Sequence, residues 1–261
     1  MTDESFVRAY FERINYHGST DVSVKTLHDL HAAHTLNIPF ENLDVYLGRP
    51  ILLDQDSLYE KIIVNKRGGY CFEMNGLFSL VLKTLGFKVT DLLARGTRDG
   101  INYHAKTHQV LLVEVDGEKW MCDVGYGNDG IMTPLLLKVG LEQKQIANTY
   151  RFGWHEKYGY VLHKEEENNF MPMYAFTLEE CTFDDLLMSN HFTSTFPGAF
   201  FTMVKVCTMP TPDGRLTLFN DMFKILKNGQ VTERKLTTEE EFKEVLREYF
   251  KLDYDAICKS S

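Results

Sequence analysis

The hydrophobic pattern of the sequence changes at Gly86, which limits the chain to folds that combine helices with an antiparallel sheet. Before Gly86, apolar residues recur at the spacing of amphipathic helices. After it, the segments are short, rich in β-branched and aromatic residues, and separated by turn residues. From about Asn190 the pattern is mixed. We therefore predict three successive parts and an α+β class.

Individual elements follow from the same patterns. Helices are predicted over 3–15, 23–36 and 54–66, and from near Cys71 to just before Gly86. Strands are predicted over 89–96, 108–115, 118–125, 149–154 and 158–165. The tail should contain strand-like runs at 215–226 and 230–236, then a helix over 237–250 that begins with a capping box. Residues 37–48 have no helical period and are predicted to form an ordered loop.

Charge and cysteine content exclude several classes of function. The net charge of −9 disfavours a nucleic-acid partner, because binding to phosphates requires an excess of positive charge. No apolar run is long enough to cross a bilayer, and the first residues do not resemble a signal peptide. The five cysteines are widely spread and show no metal-type spacing, so we expect neither a disulfide framework nor a metal site. These features favour a cytoplasmic protein.

Cys71 stands where a glycine turn becomes a helix, in the stretch "RGGYCFEMNG". Unpaired N–H groups and the helix dipole at a helix start favour an anion, so this position favours a nucleophilic thiolate. The alternative is a buried structural cysteine, since free cysteine is among the most buried residue types. The other four cysteines are interpreted as structural because none lies at such a junction.

A hairpin brings a histidine and an aspartate to one face of the predicted sheet. Asp116 and Gly117 form a typical two-residue turn between two apolar strands, so the numbers of paired residues should sum to 233. In that register His108 and Asp123 are diagonal neighbours, about 7–8 Å apart and within side-chain reach. The alternative is an edge histidine and an unrelated aspartate at the end of a strand.

Together, Cys71, His108 and Asp123 predict nucleophilic acyl transfer. His108 would take the proton of Cys71, and Asp123 would fix the tautomer of His108 and offset its charge. Backbone N–H groups at the helix start could hold an oxyanion. These three residues do not identify the acyl donor or the acyl acceptor.

Two other histidines invite a different interpretation. His31 and His34 share one helix face and could be zinc ligands, but no third ligand accompanies them. We therefore predict packing or hydrogen-bonding roles for both. Glu41, in "PFEN", is predicted to make structural hydrogen bonds.

Three motifs resemble those of the arylamine N-acetyltransferase family. They are "RGGYCFEMNG", "HQVLLVEVDGEKWMCDVGYG" and the "IPFENL" within residues 27–48, and they occur in the family's order over most of residues 5–130. The stretches "NHFTSTFPGAFF" and "TPDGR" carry a weaker likeness.

This resemblance implies a fold and an activity. The fold would be a helical bundle over 1–86 that carries the cysteine, a β-barrel over 87–192 and an α/β lid over 193–261. Its core would resemble those of cysteine proteases and transglutaminases. The activity would be ping-pong transfer of acetyl from acetyl-CoA to arylamines, arylhydrazines or N-arylhydroxylamines, with Cys71, His108 and Asp123 as the triad.

The resemblance also implies roles for residues around the triad. Phe40 and Tyr126 would line the acceptor pocket, and Arg67 would make a structural ion pair. The residues that would border coenzyme A are His104, Thr107, Gly127, Phe192 and Gly198.

Two positions depart from the family pattern. Gly198 stands where a hydroxyl residue often contacts the coenzyme's phosphates, and Tyr126 stands where Phe is common.

The same sequence raises two alternative functions. One is a thiol hydrolase or transglutaminase-like enzyme, which orders Cys, His and Asp in the same way. The other is a silent binding module, which the presence of all three triad residues disfavours.

Overall fold

Helices occupy the first third of the chain, as predicted. The computed structural model describes residues 3–97, 99–146 and 148–259. Its first five helices are α1 Asp3–Arg13, α2 Val24–Asn37, α3 Leu43–Tyr46, α4 Gln55–Leu58 and α5 Cys71–Thr84. A π-helical segment, Tyr59–Val64, extends α4. Ser23 caps α2, and Gly86 ends the bundle with a φ of +93°, a conformation that suits glycine. The four predicted helices are confirmed.

The segment 37–48, predicted as an ordered loop, contains regular secondary structure. It contains the short strand β1 Phe40–Glu41 and helix α3. Both elements are too short to produce a detectable hydrophobic period. The buried Glu41 carboxylate accepts hydrogen bonds from the backbone N–H of Leu43 and from Arg67, which confirms its predicted structural role.

An eight-stranded antiparallel sheet forms a nearly closed barrel. Its strand order is β5-β4-β3-β2-β9-β8-β7-β6. The strands are β2 Lys88–Thr97, β3 Tyr103–Val115, β4 Glu118–Cys122, β5 Leu135–Leu136, β6 Glu142–Lys144, β7 Thr149–His155, β8 Gly159–Glu166 and β9 Asn169–Phe176. The five strands predicted in this region are confirmed. The sequence prediction missed β9, because Pro172 interrupts its pattern and proline is unusual inside a sheet.

The β3–β4 hairpin has the predicted register. Val115 pairs with Glu118, and Leu111 with Cys122. Both turn residues, Asp116 and Gly117, have positive φ. The side chains of β3 are buried on both of its faces: Val110 and Leu112 face the barrel interior, whereas Leu111 and Val113 pack against the helical bundle. This double burial explains the uninterrupted apolar run of β3.

The last part of the chain contains a five-stranded antiparallel sheet in the order β1-β10-β11-β12-β13. Its remaining strands are β10 Val206–Thr211, β11 Gly214–Phe219, β12 Met222–Lys227 and β13 Gln230–Lys235, and the remaining helices are α6 Phe183–Thr195, α7 Phe200–Met203, α8 Glu239–Phe250 and α9 Tyr254–Lys259. The predicted run 215–226 is two strands, because the chain turns at Asn220, where φ is +51°. The predicted capping box of α8 is confirmed.

Helix α6 was not predicted from the sequence. Most of its large apolar side chains, including Phe183, Met188 and Phe192, are exposed, so it has no apolar stripe. The predicted boundary between 192 and 193 falls within this helix. None of the helices in the described part of the chain has the length and apolar character that crossing a membrane requires.

Candidate active site

Cys71 is the first residue of α5, and the turn before it packs too closely for larger residues. A Cβ on Gly68 would lie 1.9 Å from the Pro39 carbonyl oxygen. The Glu73 carboxylate accepts a hydrogen bond from the backbone N–H of Tyr70 at 3.1 Å and so closes the first turn. The Cys71 side chain is therefore held at a helix start, as the glycine motif predicted.

His108 and Asp123 form a direct hydrogen bond. His108 Nε2 lies 2.7 Å from Asp123 Oδ2, and both residues are buried. Because Nε2–H donates to the carboxylate, Nδ1 is the nitrogen left to face Cys71, whose thiol lies against the ring. The Cys71 Sγ also lies 3.9 Å from the Thr107 carbonyl oxygen. The structure thus places Cys71 beside His108 and His108 on Asp123, which is the arrangement that nucleophilic catalysis requires.

Three further donors hold the Asp123 carboxylate. Oδ1 accepts hydrogen bonds from Asn75 Nδ2 and the backbone N–H of Gly125, both at 3.0 Å. Oδ2 also accepts from the Tyr174 hydroxyl at 3.0 Å. The sequence reasoning missed Tyr174, which lies on β9, 51 residues further along the chain, and has no local motif. The carboxylate is therefore fixed by four donors.

The buried His108 and Asp123 shift each other's pKa in opposite directions. Burial alone would lower the pKa of His108, but the Asp123 carboxylate and the neighbouring Cys71 outweigh it and raise the pKa above its usual value. Burial would raise the pKa of Asp123, but the charge of His108 and the hydrogen bonds to the carboxylate lower it. The raised pKa makes His108 a stronger base for the Cys71 proton, and the lowered pKa keeps Asp123 ionised at neutral pH. An imidazolium is the kind of partner that stabilises a thiolate nucleophile.

Gly125 allows the end of strand β4 to approach Cys71. A Cβ at this position would lie 2.7 Å from the Cys71 Cα and 2.8 Å from Asn75 Nδ2. Both distances are shorter than van der Waals contact, and one of them involves backbone. A residue without a side chain is therefore required where the loop after β4 meets α5.

A cleft of about 920 Å³ opens above the triad. Nine of the ten predicted site residues line it: Phe40, Cys71, His104, Thr107, His108, Tyr126, Gly127, Phe192 and Gly198. Asp123, the tenth, lies behind His108 and does not line this cleft. Among the described residues, no Lys or Arg lines the cleft. Of the described residues that line it, seven are Phe or Tyr, and the Phe192 ring stacks on Phe196 with 4.9 Å between centroids.

Several charged residues near the site form an ion-pair network. The buried Arg67 forms ion pairs with Glu41 at 2.7 Å and Asp44 at 3.0 Å. Lys61 connects the same cluster to Glu73, with its Nζ 2.7 Å from Asp44 and 2.6 Å from Glu73. This network lies beneath the turn that carries Cys71.

His31 and His34 make hydrogen bonds. His31 bonds to the Met132 carbonyl and the backbone N–H of Asp123, and His34 bonds to the Tyr10 hydroxyl. Within residues 3–97, 99–146 and 148–259, no group of three or more His, Cys, Asp or Glu side chains is placed to hold a metal ion. The packing and hydrogen-bonding interpretation of both histidines is confirmed.

Comparison with known proteins identifies the family. A family model described as N-acetyltransferase matches residues 23–257. The arylamine N-acetyltransferase of Escherichia coli (strain K12) is 39% identical over 249 residues, which cover 94% of this chain and 88% of that protein. The chain belongs to the arylamine N-acetyltransferase family. It is therefore an acyltransferase.

Solved structures of arylamine N-acetyltransferases have the same fold. The Salmonella typhimurium enzyme matches with a TM-score of 0.92 and 34% identity, over 97% of this chain and 92% of that one. The Mycobacterium marinum enzyme in complex with CoA matches with a TM-score of 0.90 and 31% identity, over 96% and 93% of the two chains. The family predicted from the motifs and the α+β class predicted from the hydrophobic patterns are both confirmed.

Proposed function

We propose that this arylamine N-acetyltransferase transfers acetyl from acetyl-CoA, through a thioester on Cys71, to arylamines, arylhydrazines or N-arylhydroxylamines. The observation that carries the proposal is the hydrogen-bonded His108–Asp123 pair beside the Cys71 thiol, at the base of the cleft. The similarity to a Mycobacterium marinum enzyme in complex with CoA supports CoA as the carrier of the acyl group.

In the first half-reaction, Cys71 is acetylated. His108 takes the thiol proton at Nδ1, and the Cys71 sulfur attacks the acetyl carbonyl of acetyl-CoA. Backbone N–H groups in the first turn of α5 hold the oxyanion of the tetrahedral intermediate. The carbon–sulfur bond to CoA then breaks, and His108 returns the proton to the CoA sulfur. The products of this step are free CoA and acetyl-Cys71.

In the second half-reaction, the acceptor nitrogen attacks the acetyl-Cys71 carbonyl. His108 removes a proton from the nitrogen as the new amide bond forms. The bond between the acetyl carbon and the Cys71 sulfur breaks, and the sulfur recovers its proton from His108. Asp123 balances the imidazolium charge in both halves and keeps Nε2 protonated.

The walls of the cleft suggest where each substrate binds. We assign the acceptor ring to Phe40 and Tyr126, whose aromatic side chains line the cleft with Cys71. The coenzyme would lie along His104, Thr107, Gly127, Phe192 and Gly198. Because Gly198 has no hydroxyl, the phosphates there would be bound through backbone N–H groups or by other residues.

We propose that the three predicted parts of the chain have separate roles. The bundle 1–86 would supply the nucleophile, the barrel 87–192 the base and the acid, and the part 193–261 the cover of the cleft. We also propose a cytoplasmic location, because the cysteine usage fits a reducing compartment.

Intact-protein mass spectrometry tests the proposed mechanism. Mixing with acetyl-CoA, without acceptor, should add one acetyl group, and an arylamine or arylhydrazine should then remove it. Cys71→Ala should give no adduct. Cys258→Ser, which removes an exposed thiol, should still give the adduct. Absence of an adduct on the wild-type chain would contradict the acetyl-CoA mechanism, and acylation by a peptide glutamine instead would support the transglutaminase-like alternative.

A further inference from the structure

His31 is a fully buried histidine on α2, and the proposed reaction does not use it. Its side chain is 0% exposed. Nδ1 lies 3.0 Å from the carbonyl oxygen of Met132. A carbonyl can only accept a hydrogen bond, so Nδ1 carries the ring proton. Nε2 is therefore an acceptor, and it lies 3.2 Å from the backbone N of Asp123.

The backbone N–H of Asp123 lies beyond the last pair of the β3–β4 ladder and needs this acceptor. Strand β4 ends at Cys122, whose pairing with Leu111 is the last in the β3–β4 ladder. Asp123 is 1% exposed, and a buried N–H without a partner is destabilising. His31 thus supplies the hydrogen bond that the ladder no longer provides.

The neutral form of His31 is the one that can accept this bond. Burial lowers the pKa of His31 to about 4. The ring is therefore uncharged at neutral pH, with its single proton committed to Met132. An imidazolium would present a second N–H to Asp123 and repel its backbone donor.

Asn75 anchors the same backbone from a second helix. Its Oδ1 accepts from the Val124 N–H at 2.9 Å, and its Nδ2 donates to the Asp123 carboxylate. His31 on α2 and Asn75 on α5 thus hold two consecutive peptide groups. The Asn75 contact reaches the carboxylate as well, whereas the His31 contact fixes only the main chain.

We propose that His31 is a positioning residue for the triad. It fixes the main chain of Asp123, whose carboxylate in turn orients His108. Without it, the carboxylate would shift relative to His108, and the imidazolium beside Cys71 would be less well stabilised. The inference rests on the roles proposed above for the triad.

Three substitutions at His31 separate the two hydrogen bonds. His31→Leu removes both. His31→Gln retains an acceptor near the position of Nε2, and so keeps the bond to Asp123. His31→Asn places its amide near Nδ1, and so keeps only the bond to Met132. If His31→Leu does not fold, the Gln and Asn variants still carry the test.

His34→Leu is the matched control. His34 lies on the same helix, is also 0% exposed, and packs against the same Phe78 ring, at 5.5 Å compared with 5.7 Å for His31. Its hydrogen bond goes to Tyr10 rather than to Asp123. If His31→Leu acted only through lost packing, His34→Leu should therefore change Cys71 reactivity to the same extent.

The measurement is the rate of Cys71 alkylation by iodoacetamide as a function of pH, on variants shown to be folded by thermal unfolding. His31→Leu and His31→Asn should slow alkylation by about 10- to 100-fold at neutral pH and move the half-maximal rate to higher pH. His31→Gln should recover most of the rate, and His34→Leu should leave the profile unchanged. Among the residues that the structure describes, the titratable side chains in contact with His108 are Cys71, Asp123, Tyr126 and Tyr174, and the variants alter none of them.

Two kinds of result would overturn the proposal, and they can be told apart. Equal rates for the Gln and Asn variants, or an equal shift in His34→Leu, would show that His31 is only a packing residue. A wild-type Cys71 that reacts no faster than the exposed Cys258 would instead refute the proposed catalytic function, and the positioning role with it. Iodoacetamide does not depend on the identity of either substrate, so the first result cannot arise from an incorrect donor or acceptor.

Discussion

Replacing Asp123 with Asn tests the proposed triad most directly, because the carboxylate receives four hydrogen bonds. Asn75 and Gly125 donate to one oxygen, and His108 and Tyr174 donate to the other. An amide has only one oxygen, so its NH₂ group must face one of these two pairs of donors.

The more stable orientation of the substituted amide keeps its oxygen towards Asn75 and Gly125, because the backbone N–H of Gly125 cannot move away. The NH₂ group then faces His108 and forces Nε2 to accept. The ring proton moves to Nδ1, where it faces Cys71, and the base can no longer take the thiol proton. In a Ser-His-Asp triad the wrong histidine tautomer lowers kcat by about 10⁴-fold, which corresponds to an activation barrier higher by about 5.5 kcal/mol.

We therefore expect Asp123→Asn to lower the rate of Cys71 acetylation by about 10³- to 10⁴-fold while the protein stays folded. The assay is rapid-quench mass spectrometry with acetyl-CoA, together with thermal unfolding. Asp91→Asn is the matched control, since Asp91 accepts from Ser79, Lys83 and Gln109, away from the triad. A folded Asp123→Asn variant that is acetylated at a near-normal rate would refute the triad assignment.

Three further predictions follow from the same contacts. Arg67→Met removes the ion-pair partner of the buried Glu41, whereas Asp44 keeps Lys61 and Arg49, so the free energy of unfolding should fall by about 3–5 kcal/mol; urea denaturation measures this, and an unchanged midpoint would contradict it. The pKa of His31 falls from 6.5 to about 4 on folding, so between these pH values the unfolded chain binds a proton that the folded chain does not. Stability is therefore lost as the pH falls from 6.5 to about 4, by about 3 kcal/mol in total. Urea denaturation at pH 7 and pH 4 should show a smaller pH effect in His31→Leu than in the wild type, and equal effects would argue against a neutral buried His31. Tyr126→Phe keeps the aromatic face that packs edge-on against His108 at 5.3 Å, so Cys71 acetylation should be unchanged while the relative KM values of different arylamines shift; a slowed acetylation step would show that the hydroxyl acts on the triad instead.

The sequence by itself determined the elements that carry the triad. The hydrophobic period located the first helices, and the glycine turn placed Cys71 at a helix start. The Asp116–Gly117 turn fixed the hairpin register, and the alternation of strand residues put His108 and Asp123 on one face. Each of these inferences depends on neighbours within a few positions, where backbone geometry and side-chain period are set locally.

Only the tertiary structure decided what surrounds the triad. Tyr174 and His31 reach Asp123 from 51 and 92 residues away, and neither lies in a motif that points to it. Helix α6 brings Phe192 to the cleft although its exposed apolar residues hide its period. Such contacts depend on how whole elements pack, and packing is set by the combined burial of distant surfaces rather than by any short stretch of sequence.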